Sequence, residues 1–169
     1  MAFVRTKKIG GIAYAYLVEN RWQDGQARQH VAKYLGKIHQ PSAQQAGSRA
    51  AIDIVSKDFK QATEALLAAE LVAHGFEQRE NNFVRDNLVI TPGSWTVATA
   101  KGKPAVLKLN QGYLCSHTVG QLLGFTPGES EEQTGFALAR RLLDAGLAVP
   151  QETFITLFDK VKPKVQVNE

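Results

Sequence analysis

The chain has 169 residues, 44% of them apolar, and 20 Lys+Arg against 16 Asp+Glu give a formal net charge of +4. That apolar content is ordinary for a folded protein and too high for a disordered one, and no run of about 18 apolar residues is present to span a bilayer. The single cysteine, Cys115, excludes an intramolecular disulfide and a zinc site built on several thiolates. With no apolar stretch after the basic N-terminal residues to act as a signal, an intracellular protein is expected, most simply cytoplasmic.

The charge is concentrated in one short segment. Residues 1–39 carry seven Lys/Arg against two Asp/Glu, whereas the remaining 130 carry thirteen against fourteen. Gly10-Gly11 and Asp24-Gly25 suit two-residue type I′ turns, because both central residues must take positive φ. The segments between them hold β-branched and aromatic residues, among them Val4, Ile12, Tyr14, Tyr16, Val18, Trp22, Val31 and Tyr34. Residues 1–38 therefore read as a basic, three-stranded antiparallel meander.

Two-residue turns fix a register. Arg5 then pairs with Tyr16, Lys7 with Tyr14 and Phe3 with Val18, while Tyr16 pairs with Lys33, Tyr14 with Leu35 and Val18 with Val31. Alternation puts Arg5, Lys7, Lys33, Tyr14 and Tyr16 on one face. The other face receives Val4, Ala13, Ala15, Leu17, Ala32 and Tyr34, with Lys8, Arg28 and His30 towards its margins, and suits packing beneath a helix. A basic surface with aromatics is the usual footprint of nucleic-acid contact: Lys and Arg neutralise phosphates, and Tyr rings stack on bases. The same tyrosines also suit simple cross-strand pairing on a solvated sheet.

The pattern KKIGGIAYAYLVENRWQDGQARQHVAKYLGKI resembles the N-terminal segment of insertion-sequence transposases of the IS1634-like, IS4-related kind. The matching elements are Lys7-Lys8, Tyr14 to Glu19, Arg28-Gln29 and Tyr34 to Lys37, about a fifth of the chain. The resemblance implies an end-binding or DNA-positioning role. It does not imply chemistry, because such transposases use a ribonuclease-H-like core with three metal-binding acids, and no equivalent follows residue 49. Asp53 falls on an expected amphipathic helix, Asp86 in a hairpin and Asp144 just before a helix C-cap.

Residues 39–48 contain Pro, Ser, Gly and Gln but no large apolar residue, and read as a linker. An α+β domain is expected over residues 49–162. Its first element is a helix from about Arg49 to Ala73, with Ile52, Val55, Phe59, Leu66, Leu67 and Leu71 at helical spacing, Lys57 and Lys60 on the polar side, and Gly75 as the stop. Residues 76–110 then switch to antiparallel hairpins built from NFVRDNLVI, SWTVATA and PAVLKLN. Around them Arg79, Arg85, Lys101, Lys103 and Lys108 are candidate phosphate contacts or, more simply, charges that guard sheet edges. Residues 110–116, NQGYLCS, read as a polar loop.

The last third is helical. One helix is capped by Ser116 and runs through Leu123, a second spans Glu131 to Ala145 before Gly146, and a third spans Thr153 to Val161. A frayed tail is expected over 163–169. A helix-turn-helix built on the first two of these helices fits poorly, because Thr126 to Ser130 lengthens the connection and Glu129, Glu131 and Glu132 crowd the end that would meet DNA.

No phosphate-binding glycine loop, HExxH or GxSxG motif is present, and His30, His39, His74 and His117 are scattered. Cys115 with His117 is the nearest thing to a constellation, and a lone buried Cys is far more often structural than catalytic. The sequence thus predicts a non-enzymatic nucleic-acid-binding protein of the α+β class, with no cofactor and no metal. Phosphate contacts are expected from Arg5, Lys7, Lys8, Arg28, Lys33 and Lys37, and stacking or groove contacts from Tyr14, Tyr16 and Trp22. DNA is favoured over RNA, although stacking tyrosines suit unpaired bases as well. The alternative is an assembly module that oligomerises through the aromatic sheet face.

Overall fold

The two tight turns form where the sequence places them: Gly10 and Gly11 take φ of 56° and 79°, and Asp24 and Gly25 take 55° and 74°. They join β1 (Ala2–Ile9), β2 (Ile12–Gln23) and β3 (Gln26–His39) into an antiparallel meander. A computed structural model describes residues 1–42 and 52–163 of the chain. Most of the expected linker and the end of the expected tail lie outside the described residues.

The β1–β2 register is the expected one, with Phe3 opposite Val18, Arg5 opposite Tyr16 and Lys7 opposite Tyr14. On the other side Val18 faces Val31 as expected, but beyond that point the register differs. Leu17 faces Lys33, Tyr16 faces Tyr34 and Tyr14 faces Lys37, with irregularities between Leu17 and Val18 and between Ala15 and Tyr16. Ala32 and Leu35 are the extra residues on β3. Each bulge shifts the alternation by one. Strict alternation would leave Leu35 beside the tyrosines and turn Tyr34 inward. The bulges instead bury Leu35 against Ala15, Val106 and Cys115 and bring Tyr34 out beside Tyr14 and Tyr16.

The meander continues into the rest of the chain. The end of β3 runs parallel to β8 (Ala105–Leu109), pairing Lys37, Ile38 and His39 with Ala105, Val106 and Leu107. β8 in turn pairs with β9 (Gly112–Leu114), giving one five-stranded sheet in the order β1-β2-β3-β8-β9. Gly36 makes the junction possible. It sits at φ 132° against β8, and a Cβ there would lie 2.6 Å from the Pro104 carbonyl carbon and 2.8 Å from the Ala105 Cα. β9 replaces the expected polar loop, because Asn110, at φ 50°, turns the chain so that Leu114 can pair with Leu107.

A second sheet of four antiparallel strands, β4 (Glu77–Arg79), β5 (Asn82–Arg85), β6 (Leu88–Thr91) and β7 (Thr96–Thr99), follows chain order. A bridge from Ala98 to Pro104 links it to the five-stranded sheet. The helices are α1 (Phe59–Ala73), α2 (Ser116–Leu123), α3 (Glu131–Asp144) and α4 (Gln151–Val161). One core joins them to both sheets: Leu67, Leu71, Ile90, Leu107, Leu138 and Leu157 are fully buried within it. Truncating any of these leucines to Ala is worth roughly 2–5 kcal/mol.

α1 starts ten residues later than the hydrophobic spacing suggests. Asp53 does not lie on a helix: its carboxylate accepts hydrogen bonds from the backbone N–H groups of Val55 and Ser56 and from the Ser56 hydroxyl, forming a turn. Asp58 is the real N-cap, in a capping box with Gln61. Asp and Ser compete for backbone groups, so 52–58 remains irregular in spite of its apolar residues. The expected helical residues 49–51 lie outside the described residues. Cys115, not Ser116, occupies the N-cap position of α2.

Candidate nucleic-acid interface

β1 stops pairing at Ala2, opposite Glu19. Residues 20–29 of β2 and β3 therefore extend past it as a two-stranded arm about 13 Å long, at roughly 3.3 Å per residue. All residues of the arm are exposed. At its tip Trp22, 80% exposed, sits opposite Ala27, and Arg21 sits directly opposite Arg28. Like charges facing each other across a sheet are unfavourable unless an anion or a partner relieves them. Arg21 gains partial relief from Glu19, its Nη2 lying 2.8 Å from the carboxylate Oε1.

Behind the arm, one face of the meander carries the tyrosines. Tyr16 and Tyr34 lie 5.4 Å apart centroid to centroid, and Tyr14 and Tyr34 lie 6.3 Å apart, both pairs tilted. Burial first, and then the neighbouring Tyr14 and Tyr16, push the Tyr34 hydroxyl above the ordinary phenol range. Arg5 and Lys7 lie on the same face across from Tyr16 and Tyr14, and Lys37 lies across from Tyr14 on the other side. Arg5 donates from Nη1 to the Gln29 Oε1, which closes one end of a hollow of about 430 Å³ lined also by Lys7, Tyr16, Val18 and Val31.

Of the residues singled out by sequence, the structure brings together Arg5, Lys7, Tyr14, Tyr16 and Lys37, with Trp22 on the same face farther out along the arm. Lys8 and Arg28 occupy the opposite face, as alternation predicts. Lys33 is the correction: the bulge after Val31 pairs it with Leu17, on the face opposite the tyrosines. Its charge is felt by His117 of α2. The cationic groups thus flank both faces of the meander. Arg21 and Tyr34 add to the site. Arg21 is legible from the Asp24-Gly25 turn, which forces it opposite Arg28. Tyr34 depends on the bulges and carries no local signal.

Several basic residues farther along the chain are spent on structure. The Arg85 guanidinium donates to the carbonyl oxygens of Ser42 and His74 and to the Ser42 hydroxyl, tying the segment after β3 to the end of α1. Arg79 pairs with Glu77 at 2.9 Å. Lys160 caps the irregular segment before α1 by donating to the carbonyls of Val55 and Lys57. Cys115 is buried, with Sγ 3.6 Å from the Thr118 hydroxyl, so it packs with α2 and forms no pair with His117. Among the described residues no group of three or more His, Cys, Asp or Glu side chains is placed to hold a metal ion, and no helix is long and apolar enough to cross a membrane.

Comparison with protein-family models, with curated proteins and with solved structures finds no match to this chain.

Proposed function

We propose that this protein binds nucleic acid, with DNA as the favoured ligand, through the projecting β2–β3 arm and the tyrosine face behind it. The observation that carries the reading is the exposed Arg21–Arg28 pair beside Trp22, at the end of an arm with no apolar core of its own. A phosphate seated between the two guanidinium groups would turn a repulsive pair into two charge-assisted hydrogen bonds. A two-stranded ribbon has the width to enter a major groove, about 12 Å across. Arg5, Lys7 and Lys37 then neutralise phosphates flanking the groove, and Tyr14, Tyr16, Tyr34 and Trp22 provide ring faces for sugars or unpaired bases. The transposase-like pattern of this segment supports the same role, that of positioning DNA without cutting it.

The test is fluorescence-anisotropy binding to duplex DNA, single-stranded DNA and RNA with the wild-type chain and an Arg5→Glu/Lys7→Glu/Lys37→Glu variant. Binding that is lost in the variant, while its circular dichroism is unchanged, supports the reading, and the preferred ligand sets its class. Absence of binding to all three at low salt refutes it. One observation favours the assembly alternative: Ile9, Ile12 and Val31 are exposed apolar residues on the tyrosine face. In that case sedimentation shows concentration-dependent association that Tyr14→Ser and Tyr16→Ser abolish, without affinity for nucleic acid.

A further inference from the structure

A cleft of about 390 Å³ opens between the start of β1, β9, α2 and α3. It is separate from the arm, and Val4 and Tyr113 on its wall also pack on the small cluster beneath the meander. Its polar lining sets Arg140, Arg141 and His117 among the neutral side chains of Gln111, Tyr113, Thr118 and Gln121. Arg140 and Arg141 come from the last turns of α3 and His117 from the first turn of α2, with Gln121 one turn further along. Asp144 is the sole carboxylate in the lining, and it is engaged by Arg140, whose Nε lies 3.8 Å from Oδ2. Arg141 forms no ion pair among the described residues.

Three features make this a place for an anion. The positive end of α2 lies at the cleft, since His117 and Thr118 both line it, and Arg140 and Arg141 offset the negative end of α3, which also reaches it. Arg140 and Arg141 bring positive charge to the lining from α3, and Lys33 on β3 lies outside the lining but acts on His117. His117 registers the field: burial, then Arg141, lowers its proton affinity, Asp144 opposes this, and Lys33 adds to it. The volume suits a small molecule of mononucleotide size. We infer that this cleft binds a phosphate group, either that of a small phosphomonoester or the terminal phosphate of a nucleic-acid strand. Arg141 and Lys33 supply charge, His117 donates once protonated, and the Arg140–Asp144 pair forms the rim. The site stands independently of the arm.

The test follows the His117 imidazole C–H resonances by NMR from pH 5 to 8, in chloride and in inorganic phosphate of equal ionic strength. A dianion beside His117 favours its protonated form, so phosphate should raise the titration midpoint relative to chloride. Arg141→Gln and, separately, the exposed Lys33→Gln should each reduce that shift, while Arg21→Glu/Arg28→Glu on the arm leaves it in place. An equal midpoint in chloride and phosphate overturns the inference, as does a shift retained in both Arg141→Gln and Lys33→Gln. The source is separated with oligonucleotides bearing a 5′-phosphate or a 5′-hydroxyl, and with adenosine 5′-phosphate against adenosine. A 5′-phosphate preference of roughly tenfold, the size of one charge-assisted hydrogen bond, that disappears in Arg141→Gln assigns the strand end. Equal oligonucleotide affinities with a preference for the mononucleotide over the nucleoside assign the small phosphomonoester.

Discussion

Replacing Gly36 by Ala probes the junction that makes the basic meander part of the larger sheet. The backbone at this position has φ 132°, a region that L side chains rarely adopt, and an added Cβ meets the carbonyl oxygen and carbon of Pro104 and the Cα of Ala105. These are backbone atoms of β8 and cannot rotate away. Conformational strain contributes about 1–3 kcal/mol, and forcing an extra methyl into a filled contact about as much again. A loss of about 2–6 kcal/mol is expected, which for a chain of this length lowers the thermal midpoint by roughly 5–25 °C. Gly10→Ala is the control, since φ there is also positive but nothing lies within 4 Å of the added methyl. Urea denaturation measures the loss, and amide hydrogen exchange locates it: protection should fall at Lys37, Ile38 and His39 and across β8. If Gly36→Ala unfolds at the wild-type midpoint with β8 still protected, the parallel β3–β8 pairing is refuted.

Asn110→Ala removes two hydrogen bonds at once, from Nδ2 to the buried Glu70 carboxylate at 2.8 Å and to the Gly146 carbonyl at 2.7 Å. It should cost about 2–3 kcal/mol in urea denaturation, and Asn110→Asp, which replaces the donor with a second carboxylate, should cost at least as much. His39 and His117 both have proton affinities lowered by burial first, and then by nearby cations, from an ordinary pKa of 6.5. The unfolded chain therefore takes up more protons than the folded one as pH falls through 6.5. Stability should be full above that pH and decline below it, and His117→Gln should flatten part of the decline in denaturation midpoints measured from pH 7.5 to 5. The chain has two tryptophans, Trp22 exposed and Trp95 buried at 3%. Nucleic acid should quench the red-shifted Trp22 emission in wild type and leave Trp22→Phe emission unchanged; quenching that persists in the variant refutes contact at the tip.

How much of this was legible in the sequence depends on whether the decisive contact is local. Gly10-Gly11 and Asp24-Gly25 are local, and they specified the turns, the β1–β2 register and the Arg21–Arg28 opposition. The bulges at Ala32 and Leu35 are not local. Leu35 is drawn inward by Ala15, Val106 and Cys115, two of which lie far along the chain, and only that demand moves Tyr34 to the tyrosine face and Lys33 away from it. The β3–β8 pairing likewise needs Gly36 to meet Pro104, which no periodicity announces. At α1 the apolar spacing was real, but the Asp53 turn and the Asp58 capping box decided where the helix begins. Arg85 looked like a surface cation, and only its three acceptors reveal a structural tie. The cleft around His117 assembles from β1, β9, α2 and α3, so its residues share no motif.

The most direct test of the central claim is the salt dependence of duplex-DNA affinity for wild type and for Arg21→Ala/Arg28→Ala, measured by anisotropy on the full chain. Each phosphate contact on duplex DNA contributes about 0.9 to the slope of log affinity against log salt. Binding by the arm, with one phosphate shared by the two arginines, predicts a steep negative slope for wild type that becomes shallower by about 1 in the double variant, together with weaker binding at every salt concentration. An unchanged slope in the folded double variant, or no measurable affinity for wild type at low salt, would contradict the account.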